Sequence, residues 1–171
     1  MPTNPLIYSR DCLVWVMGDR YTVTVSDALV ASGWPGGVGA MWVPGDNDER
    51  TVGLSDGRFG GFLLWGSSET PDQLTGLSDS QQTYRYATFC AGGWLMSTST
   101  YETYTWASRQ AGPLVPLTYG INDPLYFSLR GYWTNEQEMV LSGAGTNLFC
   151  GFVAQVPKRS TNYWLGIQTE L

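Results

Sequence analysis

"TYRYATFCAGGWLMSTSTYETYTW", from Thr83 to Trp106, decides the fold. Tyr84, Tyr86 and Thr88 alternate with Arg85, Ala87 and Phe89, and beyond Gly92-Gly93 the residues Trp94, Met96 and Thr98 alternate with Leu95 and Ser97. Successive side chains of a strand point to opposite faces, so this alternation of aromatic and β-branched residues predicts two long strands turning at the glycine pair. The pattern repeats on either side. Leu13 to Met17 and Tyr21 to Val25 flank Gly18-Asp19, a hairpin signal. Leu125 to Ser128 and Tyr132 to Thr134 flank a tight turn at Arg130-Gly131. Pro113 to Leu117 is bounded by prolines, which places it at a sheet edge. Asn147 to Val156 and Tyr163 to Leu171 are apolar strands joined by "PKRSTN".

No stretch above about ten residues carries a 3.6-residue apolar period. The expected class is therefore all-β: a small antiparallel β-barrel, β-tulip or sandwich built from hairpins. Residues 1–10, with Pro2, Asn4 and Pro5, read as an extended N-terminal arm, and 11–66 as a hairpin region. That region contains a long irregular excursion, "ASGWPGGVGAMWVPGDNDER", with five glycines from Gly33 to Gly45. Ser55-Asp56-Gly57 turns into a short apolar strand whose Gly60-Gly61 signals a bulge or a close backbone approach. Residues 67–82 read as a polar loop with at most one helical turn, near Pro71 to Leu74, and 83–171 as a C-terminal β-domain. A single domain over 11–171 is the other division.

Composition narrows the partners. Of 171 residues, 43% are hydrophobic and only 14% charged, against about 25% in ordinary soluble domains. That balance, with 8 Trp and 10 Tyr, points to a β-protein that hides surface in an assembly. The net charge of −6 and nine scattered basic residues, of which only Lys158 and Arg159 are adjacent, argue against nucleic acid, because phosphate recognition needs clustered Lys and Arg. Eight of the nine are Arg, suited to planar, partly buried pairing. The start "MPTNPLIYSRD" lacks the basic and apolar regions of a secretory leader, and no window approaches the roughly 18 apolar residues of a membrane span. The expectation is a protein made and folded in a cytoplasm, with no membrane partner.

Candidate chemistry is thin. "GLSDG", Gly53 to Gly57, has the spacing of a nucleophile elbow, but that motif needs a helix after it and a histidine base, and the chain has no histidine. "GDNDER", Gly45 to Arg50, gathers Asp46, Asp48 and Glu49, yet Arg50 stands where a calcium loop wants its third oxygen ligand. "GGVGAMW" lacks the lysine and the strand-to-helix context of a phosphate cradle. Cys12, Cys90 and Cys150 sit in apolar runs at wide spacing and read as buried reduced thiols rather than disulfides or zinc ligands. No metal or cofactor is expected. Glu102, Glu136, Glu138 and Asp123 could converge as paired carboxylates, although their spacing does not favour it. Trp94, Tyr101, Tyr104, Trp106, Tyr132 and Trp133 could form a sugar platform, or could be core. "YETYTWASR", Tyr101 to Arg109, has little reason to be core throughout, so Tyr101, Tyr104, Trp106 and Arg109 are the candidate interface, together with Pro2, Asn4 and Pro5 of the arm.

The C-terminal half resembles a module of the decoration or cement proteins of tailed-phage capsids. The resemblance lies in Gly120, Asp123, Leu125 and Tyr126, then Gly131, Trp133, Thr134 and Asn135, then Gly151 to Val153, and the final strand Leu165 to Leu171. It covers about 60 of the 171 residues and rests on turn and strand pattern. It implies a small β-barrel or β-tulip, often trimeric, that sits on the capsid surface of the virion and ties neighbouring units of the major capsid protein together without catalysis. A phage tail or baseplate adaptor and a carbohydrate-binding, lectin-like module are the alternatives.

Overall fold

The computed structural model describes residues 5–43, 51–58, 60–69, 86–138, 145–158 and 163–170. The strands are β1 (Ile7–Tyr8), β2 (Cys12–Val16), β3 (Asp19–Val25), β4 (Gly39–Val43), β5 (Thr51–Leu54), β6 (Gly61–Leu63), β7 (Tyr86–Ala91), β8 (Leu95–Thr98), β9 (Pro124–Phe127), β10 (Trp133–Thr134), β11 (Phe149–Gln155) and β12 (Leu165–Thr169). Among the described residues, two short helices join them: α1 (Asp27–Ser32) and α2 (Trp106–Gln110). The protein is all-β, as its alternating pattern predicts. A seven-stranded antiparallel sheet runs in the order β1-β2-β8-β12-β11-β9-β10, beside a closed barrel β3-β5-β4-β6-β7 in which only β3 and β5 pair in parallel.

Two of the expected hairpins do not form. β2 pairs with β8, with Val14 opposite Met96, and β3 pairs with β7, with Thr22 opposite Thr88. The chain thus leaves the sheet for the barrel at Gly18 and returns at Gly92-Gly93. The two crossings are packed together: the Trp94 indole donates to the Ala91 carbonyl at 2.8 Å, and a Cβ on Gly18 would lie 2.8 Å from that indole nitrogen. Alternation identifies strands but not their partners, which explains the error. The Gly131 hairpin and the β11–β12 pair form as expected, with Trp133 opposite Phe127 and Val153 opposite Ile167.

The described part of the glycine-rich excursion, residues 31–43, is more regular than its composition predicts: it takes in the end of α1 and all of β4. Ser26 caps α1 by accepting from the Leu29 amide, and β4 begins at Gly39, where a Cβ would stand 2.5 Å from the Phe127 ring. The helix escapes periodicity because six residues make fewer than two turns. Gly60 and Gly61 are a close approach, as their pairing suggests: a Cβ on either would meet the Ala40 or Cys90 carbonyl oxygen at 2.1 and 2.2 Å.

β6 and β7 form a wall between two cores. Phe62 and Cys90 face the sheet, where Phe62 packs edge-on against Trp94 with centroids 5.4 Å apart and lies 6.2 Å from Trp133. Leu63, Ala87 and Phe89 face the barrel interior with Val23, Val25, Val38 and Val52. A strand buried on both faces reads as a continuous apolar run, as "FLLW" does.

Part of the expected N-terminal arm belongs to the sheet. Ile7 and Tyr8 register with Val14 and Leu13, and the Leu6 amide donates to the Val14 carbonyl at 2.6 Å. Pro5 lies half-buried just before β1, whereas Pro2 and Asn4 lie outside the described residues, as do the acidic turn Gly45–Arg50 and the helical turn near Pro71.

Candidate functional site

Beyond β8 the chain builds a ribbon over the β10 edge. The Glu102 amide donates to the Trp133 carbonyl at 2.8 Å, and the buried Tyr119 hydroxyl donates back to the Glu102 carbonyl at 2.6 Å. Thr105 caps α2 by accepting from the Ser108 amide, and Glu136 Oε1 accepts from the Trp106 amide at 2.9 Å. After α2 the chain returns antiparallel to its outgoing run. The Thr105 amide donates to Val115, the Leu117 amide donates to Thr103, and Tyr104 bridges Pro116. Pro113 to Leu117, expected as an edge strand, makes this one bridge because its two prolines cannot donate to a ladder.

Underneath the ribbon lies a cluster of charge. Glu102 and Glu138 are both fully buried. Glu102 accepts from Arg130 through Nε and Nη2, both at 2.7 Å, from the Ser128 hydroxyl at 2.7 Å, and faces Arg109 Nη1 at 3.4 Å. Arg109 Nη2 donates to Glu138, which also accepts the Leu129 amide at 3.1 Å, while Arg109 Nε donates to the Tyr104 carbonyl at 3.1 Å. Asn147 completes the frame, accepting the Glu138 amide through Oδ1 and donating to the Phe127 carbonyl.

The two carboxyls are displaced in opposite directions. Burial raises Glu102, but the Arg130 and Ser128 hydrogen bonds and the two guanidinium charges outweigh it and hold this group below the usual carboxylate range. Burial dominates at Glu138, which has one arginine instead of two and feels the Glu102 charge, so its pKa is raised. Such a split pair can mark acid and base roles. Here both carboxylates face protein rather than a cleft, and their oxygens are occupied by arginine, serine and backbone donors. The arrangement fixes the positions of α2, the ribbon and the β9–β10 turn relative to one another. Asp123, the other suggested partner, instead accepts from the Gly120 amide and the Asn135 side chain, and Glu136 caps α2.

No family model matches the chain, and no curated protein or solved structure does.

The four interface candidates from Tyr101 to Arg109 occupy one ribbon but play different parts. Tyr104 is 39% exposed. Trp106 is half-buried, and its indole N–H has no partner among the described residues. The Tyr101 hydroxyl donates to the Tyr163 carbonyl, and Arg109 turns inward to the two glutamates. Within the ribbon Tyr101–Leu117 the most exposed large apolar residues are Leu114 and Val115, at 55% and 52%, which lie outside the four candidates. The available signal was "GPLVPL": apolar residues between prolines, with no alternating partner run to cover them.

The other described motifs are engaged within the fold. Ser55 of "GLSDG" is buried in a turn, accepting the Gly57 amide and donating to the Arg58 carbonyl, with Asp56 paired to Arg58 at 2.9 Å. Burial pushes the Cys12 thiol up to about 12 and raises Cys90 and Cys150 as well, so all three are inert packing thiols. Trp94 and Trp133 lie in the sheet core, so the six suggested aromatics do not share an exposed platform. Among the described residues, no group of three or more acidic or cysteine side chains is placed to hold a metal ion, and no helix is long and apolar enough to cross a membrane.

Proposed function

We propose that the protein is a non-enzymatic virion component, an outer capsid decoration protein that stabilises a tailed-phage head by binding the major capsid protein lattice, with self-association into a trimer. The observation that carries this reading is the ribbon Tyr101–Leu117. It presents Tyr104, Leu114 and Val115 outward on backbone held from beneath by the fully buried Glu102 and Glu138. A contact surface fixed before association loses little conformational freedom on binding, and bulky apolar residues supply area with few rotors. Repetition of one modest contact over a lattice, or within a trimer, multiplies its effect through effective concentration. The resemblance of the C-terminal half to capsid cement modules supports the same reading.

The test is light scattering of the purified protein alone and after mixing with expanded empty capsids, using wild type and the paired variant Leu114→Ser/Val115→Ser. Saturable uptake by wild type that the variant loses, with the folded state intact, supports the proposal. A wild-type protein that ignores capsids and instead purifies with tails moves the reading to an adaptor. A paired variant that binds as wild type does removes the ribbon from the interface.

A further inference from the structure

A recess lies where the β9–β10 turn meets the barrel. It is about 420 Å³, within the range of small-molecule sites, and is independent of the capsid reading. Its apolar lining includes Leu29 of α1, Trp34 of the following loop and Leu54 at the end of β5; its polar lining includes Ser32 and Ser67 together with Arg130 and Tyr132 of the turn.

Arg130 is placed unusually well for a surface arginine. Its side chain is 55% exposed, yet Nε and Nη2 are anchored on a carboxylate with no exposure at all. The guanidinium carbon also stands 4.1 Å from the centre of the Tyr132 ring. Two hydrogen bonds and one stacked face remove the rotor freedom that normally makes an exposed arginine a poor binding group. No described residue accepts from Nη1. Gly131 holds the turn, at φ +80, against Leu54, Val38 and the Gly39 carbonyl, so the cationic group and the apolar wall keep a fixed relation.

We propose that this recess binds a small, planar, mostly apolar carboxylate, with the ring against Trp34 and Leu54 and one carboxylate oxygen accepting from Arg130 Nη1. Glu102 already balances much of the Arg130 charge, so the selectivity arises from a fixed charge-assisted donor beside an apolar wall rather than from a bare cation. A large polyanion finds one donor here.

The full chain should be titrated with benzoate and indole-3-acetate, and with the matching neutral amides, by calorimetry and ligand-observed NMR. Saturable binding of at least one carboxylate at roughly millimolar or lower concentration is expected, with its amide about tenfold weaker. Ser32→Trp, on the exposed side of α1 at the recess, should weaken binding at least about tenfold by filling the space, with an unchanged circular dichroism spectrum. Arg130→Lys should erase the preference for carboxylate over amide. No saturable binding of either carboxylate, or equal binding by Ser32→Trp, would overturn the site. Equal affinity for acid and amide in the wild type would overturn the role given to Arg130.

Discussion

The β6–β7 wall and the base of the ribbon handle burial in opposite ways. The wall places Phe62, Leu63, Phe89 and Cys90 inside on both of its faces, and its stability is transfer of apolar surface. The ribbon region puts two glutamates in the interior and leaves Leu114 and Val115 outside. Replacing a buried ion cluster with well-packed apolar residues is often neutral or stabilising, so charge in the interior is poor evidence of a stability gain. Its effect here is geometric. Arg109 from α2 and Arg130 from the turn meet at Glu102, and any slip of one element past another would strand a desolvated charge.

The largest effects should come from breaking either region outright. Phe62→Ala removes the ring between Trp94 and Trp133 and should lower unfolding free energy by about 3–5 kcal/mol. Glu102→Gln leaves Arg109 and Arg130 short of a counter-charge and should cost a similar ~3–5 kcal/mol in chemical denaturation. A second substitution separates the two cases. Adding Arg130→Met to Glu102→Gln should recover part of the loss, because one stranded cation is removed, whereas adding it to Phe62→Ala should recover nothing. Simple additivity in both backgrounds would mean that the ion cluster is not a coupled unit.

Acidity distinguishes the glutamates. Glu102 is lowered, so its contribution is present above the ordinary carboxylate value and lost as pH falls through its depressed one. Glu138 is raised, so its contribution has the opposite sign, present below the ordinary value and lost as pH rises through the elevated one. Unfolding free energy measured against pH should therefore fall less steeply on acidification in Glu102→Gln than in wild type, and more steeply in Glu138→Gln. Parallel profiles for all three proteins would contradict the assigned directions.

A smaller effect concerns the turn that joins the two regions. Gly131→Ala should cost about 1–3 kcal/mol, because φ is +80 and the new Cβ would approach Leu54 Cδ1 at 2.8 Å. This turn was legible in the sequence because everything that makes it lies within a few residues: a glycine in left-handed backbone, with strand residues on each side. The close approach at Gly60-Gly61 was legible for the same reason. The partners of β2, β3, β7 and β8 were not, since a period of two gives each strand its faces and leaves open which strand lies beside it. The ion cluster was hidden further. Glu102, Arg109, Arg130 and Glu138 become neighbours only when α2 folds under the ribbon and the turn closes from the other side, and an isolated acidic residue in a sequence is ordinarily solvated. Arg109, read from its composition as part of an outward face with Tyr101, Tyr104 and Trp106, instead turns inward to Glu102 and Glu138, because those partners lie far from it in sequence.

The smallest effect on folding is the most informative about function. Leu114 and Val115 contribute little to the core, so replacing both with serine should change unfolding free energy by no more than about 0.5 kcal/mol each. If these residues were instead the lid of an inner cluster, the paired variant would lose stability as core variants do, by about 2 kcal/mol or more. A near-silent stability result together with lost assembly would mean that the apolar surface is held outward for a partner, with the charge beneath it fixing where that surface stands. Under that outcome Glu102→Gln/Arg130→Met, although partly recovered in stability, should still associate poorly, because the ribbon would keep its residues and lose its position.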